Sequence, residues 1–236
     1  MKHKLLILLA LALGLASNTR ALDQVGGVYQ IGSAQDLVDF AALVNGGEYG
    51  ALAVLTADIN LNNEAWTSPI GSEAHPYTGS FDGKGFTITG FTYTSTANNT
   101  GFFGQIGNGA VVKGFTIDGS ISSTHQRVSV IGSVAVDASA TVSNIYSKVN
   151  LTCTQTRHGG IIGAQNGNGT LTIDRCRYSG TLTVNGNVTG NFGGIIGLTH
   201  NATDATVNIS NCLFDGTIDD GTGDNAGGIV GYTNRT

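Results

Sequence analysis

A five-residue phrase, Gly-Gly-Ile-Ile-Gly, occupies residues 159–163 and returns at 193–197 and, as Gly-Gly-Ile-Val-Gly, at 227–231. Both steps are 34 residues. Looser copies stand upstream at 101–104 (Gly-Phe-Phe-Gly) and 129–132 (Ser-Val-Ile-Gly). A fixed period of this size marks a stacked repeat, in which one unit cannot bury its own apolar face and its neighbours do so for it.

A second line of each unit carries apolar columns. The first aligns Ile88, Val112, Val142, Ile173 and Ile209; the second Phe91, Phe115, Ile145, Cys176 and Cys212; the third Tyr93, Ile117, Ser147, Tyr178 and Phe214; the fourth Ile121, Leu151, Leu182 and Ile218. The second and third columns lie two residues apart, the period of one strand face. Thr, Asn, Ser and Gly fill the remaining positions and suit a solvent face and turns. Helical repeats of similar length need Ala, Leu, Glu and Lys; 36 Gly and only 11% charged residues disfavour them here. The expectation is an all-β parallel β-helix, a β-solenoid with rungs of roughly 30 residues. Its glycines mark either bends of positive φ or close approaches between rungs.

Residues 1–21 read as a signal peptide: Lys2 and Lys4, an apolar run from Leu5 to Leu15, and a small-residue cleavage site after Ala21, with Ala16 as the alternative. An N-terminal membrane anchor is the competing reading, against which the run is short. Removal of 1–21 leaves eight Lys and Arg against sixteen acids, a net charge of −8. That balance argues against nucleic acid as a partner, and the mature chain shows no transmembrane segment. Residues 22–100 form an N-terminal cap and first rungs. Within them 33–45 predicts a short helix, capped by Ser33 with Asp36 as a capping-box partner and ended by Gly46-Gly47. Leu37, Phe40, Ala41 and Val44 make one apolar stripe, suited to a lid over the open end of a solenoid or to packing on its side. The run 79–91 reads as strand, Asp-Gly turn, strand. The chain stops mid-rung at Thr236, which predicts repeats continuing in a longer protein.

The helix, Leu-Thr-Ala-Asp-Ile-Asn-Leu (55–61), Trp66, Pro69-Ile70-Gly71, Gly79–Gly85 and the repeated glycine-aliphatic-glycine phrases together resemble the GLUG-motif proteins over about 33–236. The resemblance implies a right-handed β-helix in a secreted or surface-exposed bacterial protein, adhesin-like or an accessory region of a larger surface enzyme. It brings no catalytic residue set. The 129–132 copy departs from the pattern, with Ser129 and Val130 replacing glycine and the first aliphatic, which predicts a bent rung or a longer loop.

Candidate chemistry is sparse, and no catalytic residue, cofactor-binding residue or metal ligand set emerges. Asp215, Asp219, Asp220 and Asp224 form an acidic turn that is a weak candidate for Ca²⁺, with a solvated loop as the default. Cys153, Cys176 and Cys212 read as free core thiols, with a disulfide between stacked Cys176 and Cys212 as the alternative. His75, His125, His158 and His200 fall in expected loops. Tyr146, Asp174, Arg175 and Arg177 project outward and form the candidate binding face. A lyase or glycosidase on that face needs paired carboxylates, and the neighbours of Asp174 are Ser143 and Ser210. The expected function is a secreted or cell-surface structural and adhesion module, with an extracellular glycan or a host or cell-surface protein as partner. A polysaccharide-active β-helix enzyme and an accessory region of a surface peptidase are the alternatives.

Overall fold

The computed structural model describes residues 21–199, 205–219 and 225–233. The expected cleavage region up to Arg20, His200, Asp220 and Asp224 lie outside them. The chain forms a parallel β-solenoid of about six turns with one short helix near its N-terminal end. The six coils begin with the strands Leu52–Leu55, Ser80–Asp82, Val111–Ser123, Ala140–Ser147, Gly169–Asp174 and Ala205–Ser210. Each coil then turns through a second face and a third. The third is a five-stranded sheet of Phe103–Ile106, Ile131–Val134, Ile162–Gln165, Ile196–Thr199 and Val230–Thr233. Among the described residues one strand pair is antiparallel, Gln24–Val25 with Val28–Ile31.

Register turns the apolar columns into buried ladders. Val112, Val142, Ile173 and Ile209 stack in order, as do Ile121, Leu151, Leu182 and Ile218. Burial of one such Ile or Leu stabilises by roughly 1.5–3 kcal/mol. The early coils break the expected alignment. Phe81, not Ile88, stands above Val112; Ile88 pairs with Ile117, Phe91 with Gly119 and Tyr93 with Ile121. Thr87–Ser95 lies past the corner, on the second face, and a bulge between Ile88 and Phe91, where Gly90 takes φ +67°, shifts its pairing by one further residue.

The turn in 79–91 is likewise a corner rather than a hairpin. Ser80–Asp82 and Thr87–Ser95 each pair in parallel with Val111–Ser123, and Lys84 and Gly85 supply left-handed φ of 52° and 87° between them. The same corner in later coils falls on Gly114, Asn144, Arg175 and Asn211. Asn tolerates that region well; Arg175 is held there with its guanidinium on Asn144 and Asp174.

The repeated phrase is built for close approach, since none of its glycines takes positive φ. A Cβ on Gly160 would overlap the ring of Tyr178, and one on Gly194 the ring of Phe214. The coil with Ser129 in this place is not bent. Its third-face strand pairs in register with both neighbours, and the buried Ser129 hydroxyl donates to the Ile131 carbonyl at 2.5 Å. The residue equivalent to Tyr178 one coil earlier is Ser147, small enough to leave that room.

Helix α1 (Ala34–Asn45) starts as expected: the Asp36 amide donates to the Ser33 hydroxyl at 3.2 Å. The Asp36 carboxylate turns back one residue further than a capping box requires and accepts from the Gly32 amide. Leu37, Phe40, Ala41 and Val44 are buried. Phe40 packs on Tyr29, Tyr77 and Phe81; it reaches Phe81 beside Ala53, the small residue above it in the ladder. The helix thus covers the N-terminal end of the core, and below it Trp66, Phe81, Phe91, Phe102, Phe103 and Phe115 form one aromatic cluster.

Candidate functional site

The outward residues singled out from the sequence do meet, but they spend their polar groups on one another. Tyr146 and Arg177 are ladder neighbours, and the Arg177 guanidinium lies 4.4 Å from the Tyr146 ring centre, with the Lys148 ammonium at 5.1 Å. The Tyr146 hydroxyl accepts from Ser179 at 2.9 Å. The ring is therefore a cation-stacking partner rather than an open platform. Arg177 also makes a forked pair with Asp215 one coil on, and that pairing holds the Asp215 carboxyl below its usual range. Asp174 accepts from Asn211 and Ser210, each at 2.9 Å, and pairs with Arg175 at 2.8 Å. The two hydrogen bonds foremost, with the Arg175 charge, lower its pKa as well. Both carboxylates are ionised acceptors at neutral pH, the wrong state for a general acid. Arg175 does not alternate with Arg177 along a strand, because it sits at the left-handed corner.

The acidic turn divides in the same manner. Asp215 belongs to Arg177, and Asp219 ends the strand Thr217–Asp219 as an exposed residue. Among the described residues no group of three or more His, Cys, Asp or Glu side chains is placed to hold a metal ion.

The three cysteines are free thiols. Cys153 is buried in a different column, paired with Val184 and Ser123, and burial pushes its thiol up to about 12. Cys176 and Cys212 are stacked one coil apart, with the Leu213 amide donating to the Cys176 carbonyl. The contact between their thiols lowers Cys212 to about 7 and raises Cys176, which is also buried.

His158 is not in a loop. It is fully buried in the strand His158–Gly159 and stacks on Phe192, its ladder partner, at 5.8 Å. Its Nδ1 accepts from the Val128 amide at 3.0 Å, so the proton sits on Nε2, which donates to the Gln155 carbonyl at 2.6 Å. Burial lowers its pKa to about 4. It closes a backbone gap between coils.

A groove unmarked by the sequence reading lies at the N-terminal end. It is an open hollow of about 560 Å³, with Tyr29, Tyr49, Glu48, Gln24 and Thr78 among its walls and three glycines in its lining. The β-hairpin Gln24–Ile31 forms one side, and the turn after α1 the other. Tyr29 is fixed by its pairing with Gln24 and Ala53 and by an edge contact with Phe40. Tyr49 is fixed more firmly. Its ring stacks on His75 at 4.9 Å and 5°, and its carbonyl accepts from the Thr78 amide at 2.8 Å. Glu48 is held by its amide on the Leu43 carbonyl and by its carbonyl, which accepts from Ala51. A signal was present: Gly-Gly-Val-Tyr at 26–29 and Gly-Gly-Glu-Tyr at 46–49 each set a tyrosine just after a glycine pair. They lie outside the regular repeat, where column reasoning does not reach.

The fold defines the class, a parallel β-solenoid with a helical cover. No family model matches the chain, and no solved structure matches it. It is similar to a protein of Evansella cellulosilytica described as a Gly-rich membrane protein, 28% identical over 92 residues. That stretch covers 39% of this chain and 10% of the other. Among the described residues no helix is long and apolar enough to cross a membrane, which says nothing of a β-barrel.

Proposed function

We propose that the protein is a secreted or cell-surface β-solenoid that acts as a structural and adhesion module, in the manner of the GLUG-motif proteins it resembles. One observation carries this reading: Arg177 and Asp174 on the outer face bind side chains in the next coil rather than converging on a reaction centre. Arg177 with Asp215, and Asp174 with Ser210 and Asn211, fasten consecutive coils from outside. Export by residues 1–21 belongs to the proposal, and the membrane description of the Evansella cellulosilytica relative fits an envelope location. The test is expression of the full chain with its leader, followed by labelling of intact cells with a membrane-impermeant amine reagent. Labelled or medium-borne protein is the expected result. A chain retained unlabelled inside the cell overturns the location. Release of unsaturated products from pectin, alginate or chondroitin would overturn the non-enzymatic assignment in favour of a lyase.

A further inference from the structure

We infer that the groove between the Gln24–Ile31 hairpin and the turn at 47–51 binds an uncharged sugar chain, with Tyr29 and Tyr49 as its aromatic walls. The inference rests on the adhesion reading above and moves the ligand site from the outer rung face to the N-terminal end. Three observations support it. The volume, about 560 Å³, falls within the range of small-molecule sites. The walls combine two features that a pyranose ring requires. Aromatic faces carry negative quadrupole density, which meets the ring's C–H groups. Beside them a carboxylate, an amide and a hydroxyl (Glu48, Gln24 and Thr78) offer acceptors and donors for sugar hydroxyls. The third observation is rigidity. One face of the Tyr49 ring stacks on His75, the Tyr49 carbonyl accepts from the Thr78 amide, and the His75 backbone is held by reciprocal bonds with Ser72 at 2.9 and 3.2 Å. A preformed wall lowers the ordering cost of binding.

Charge selects among sugars. Glu48 is the one ionisable carboxylate in the lining and no Lys or Arg accompanies it, so an anionic glycan is repelled. A compact organic cation is the ligand class that two tyrosines and a carboxylate would otherwise suit. The openness of the hollow and its neutral Gln24 and Thr78 favour a chain of hydroxyls over a cage for one cation.

The experiment uses the purified full chain and is independent of where the protein resides. Calorimetry is run with tetramers of β-1,4-glucose, α-1,4-glucose, β-1,4-mannose and β-1,4-N-acetylglucosamine, with tetragalacturonate as the anionic probe and tetramethylammonium as the cationic one. At least one neutral tetramer is expected to saturate at submillimolar concentration. Tyr49→Ala should weaken it about ten-fold or more, equivalent to about 1.4 kcal/mol or more. Glu48→Gln, a change at an exposed residue, should weaken it with no change in the melting curve, which keeps the proposal testable if Tyr49→Ala folds poorly. Tyr146→Ala should leave affinity unaltered. The proposal is overturned if no neutral tetramer binds at millimolar concentration, if binding survives both groove variants, or if either charged probe binds more tightly than every neutral tetramer.

Discussion

One buried imidazole makes its own contribution to how this molecule responds to acid. The folded pKa of His158 is about 4, below the ordinary 6.5, so the fold prefers the neutral ring. Its contribution is complete above pH 6.5 and is lost as the pH falls through 4, by roughly 3 kcal/mol in all. Urea unfolding at successive pH values should trace that decline. In His158→Phe this part of the decline should vanish, at a neutral-pH cost of about 1–3 kcal/mol from the orphaned Val128 amide. The phrase glycines make a second residue-level prediction. Gly160→Ala drives a methyl into the Tyr178 ring and should destabilise by about 1–3 kcal/mol. Gly186→Ala meets nothing within 4 Å and strains only its own φ of +96°. A double-mutant cycle of Gly160→Ala with Tyr178→Ser should show favourable coupling of about 0.5–3 kcal/mol, because Ser147 already fills that place beside Ser129. Neither His158 nor the reason for Gly160 was legible in the sequence. The first was read as a loop residue just before the repeated phrase, and the second depends on the ring of Tyr178, eighteen residues on.

Among the elements, helix α1 shows what periodicity can and cannot reveal. The i, i+3, i+4, i+7 stripe identified Leu37, Phe40, Ala41 and Val44 as buried, and Ser33 as the cap. That the stripe lies over the core end rather than on the flank depends on Ala53 and Phe81, which no local pattern links to it. Phe40→Ala should therefore cost about 3–5 kcal/mol, as for a core aromatic. Ser33→Ala should cost about 1 kcal/mol, the ordinary loss of a cap. Guanidinium unfolding of both variants measures the contrast, and equal losses would place Phe40 outside the core. The strands divide likewise. Columns from Val112 onward were readable because each coil repeats its spacing, whereas Ile88, Phe91 and Tyr93 stand one corner further round, because Phe81 and not Ile88 takes the place above Val112. The Gly90 bulge then adds a one-residue shift between Ile88 and Phe91, which alignment by column passes over. The groove tyrosines escaped for a related reason: they stand before the repeat begins.

At the scale of the whole molecule, stability is a sum of coils and the contacts between neighbours. Removal of residues 171–206 would join Thr170 to Val207, its register partner's successor, and seat Phe214 against Gly160 in place of Tyr178. That deletion should fold, keep its strand circular dichroism and shorten the particle by ~4.8 Å in solution scattering. Removal of 140–170 sets Tyr178 against Ser129 instead and should lower the melting temperature further than the first deletion does. The solenoid and its parallel ladders were expected from the repeat, and the short helix from its own apolar stripe. The N-terminal end of the core was the opaque part, since a repeat defines its interior and leaves such a boundary to particular residues. The neighbour-only pairing of the coils also has a genetic consequence. Recombination out of step between coil-sized stretches of the gene yields a longer or shorter product whose remaining coils need no new partners. Length then becomes a heritable trait that changes in steps, while the tip that carries the tyrosines descends unaltered.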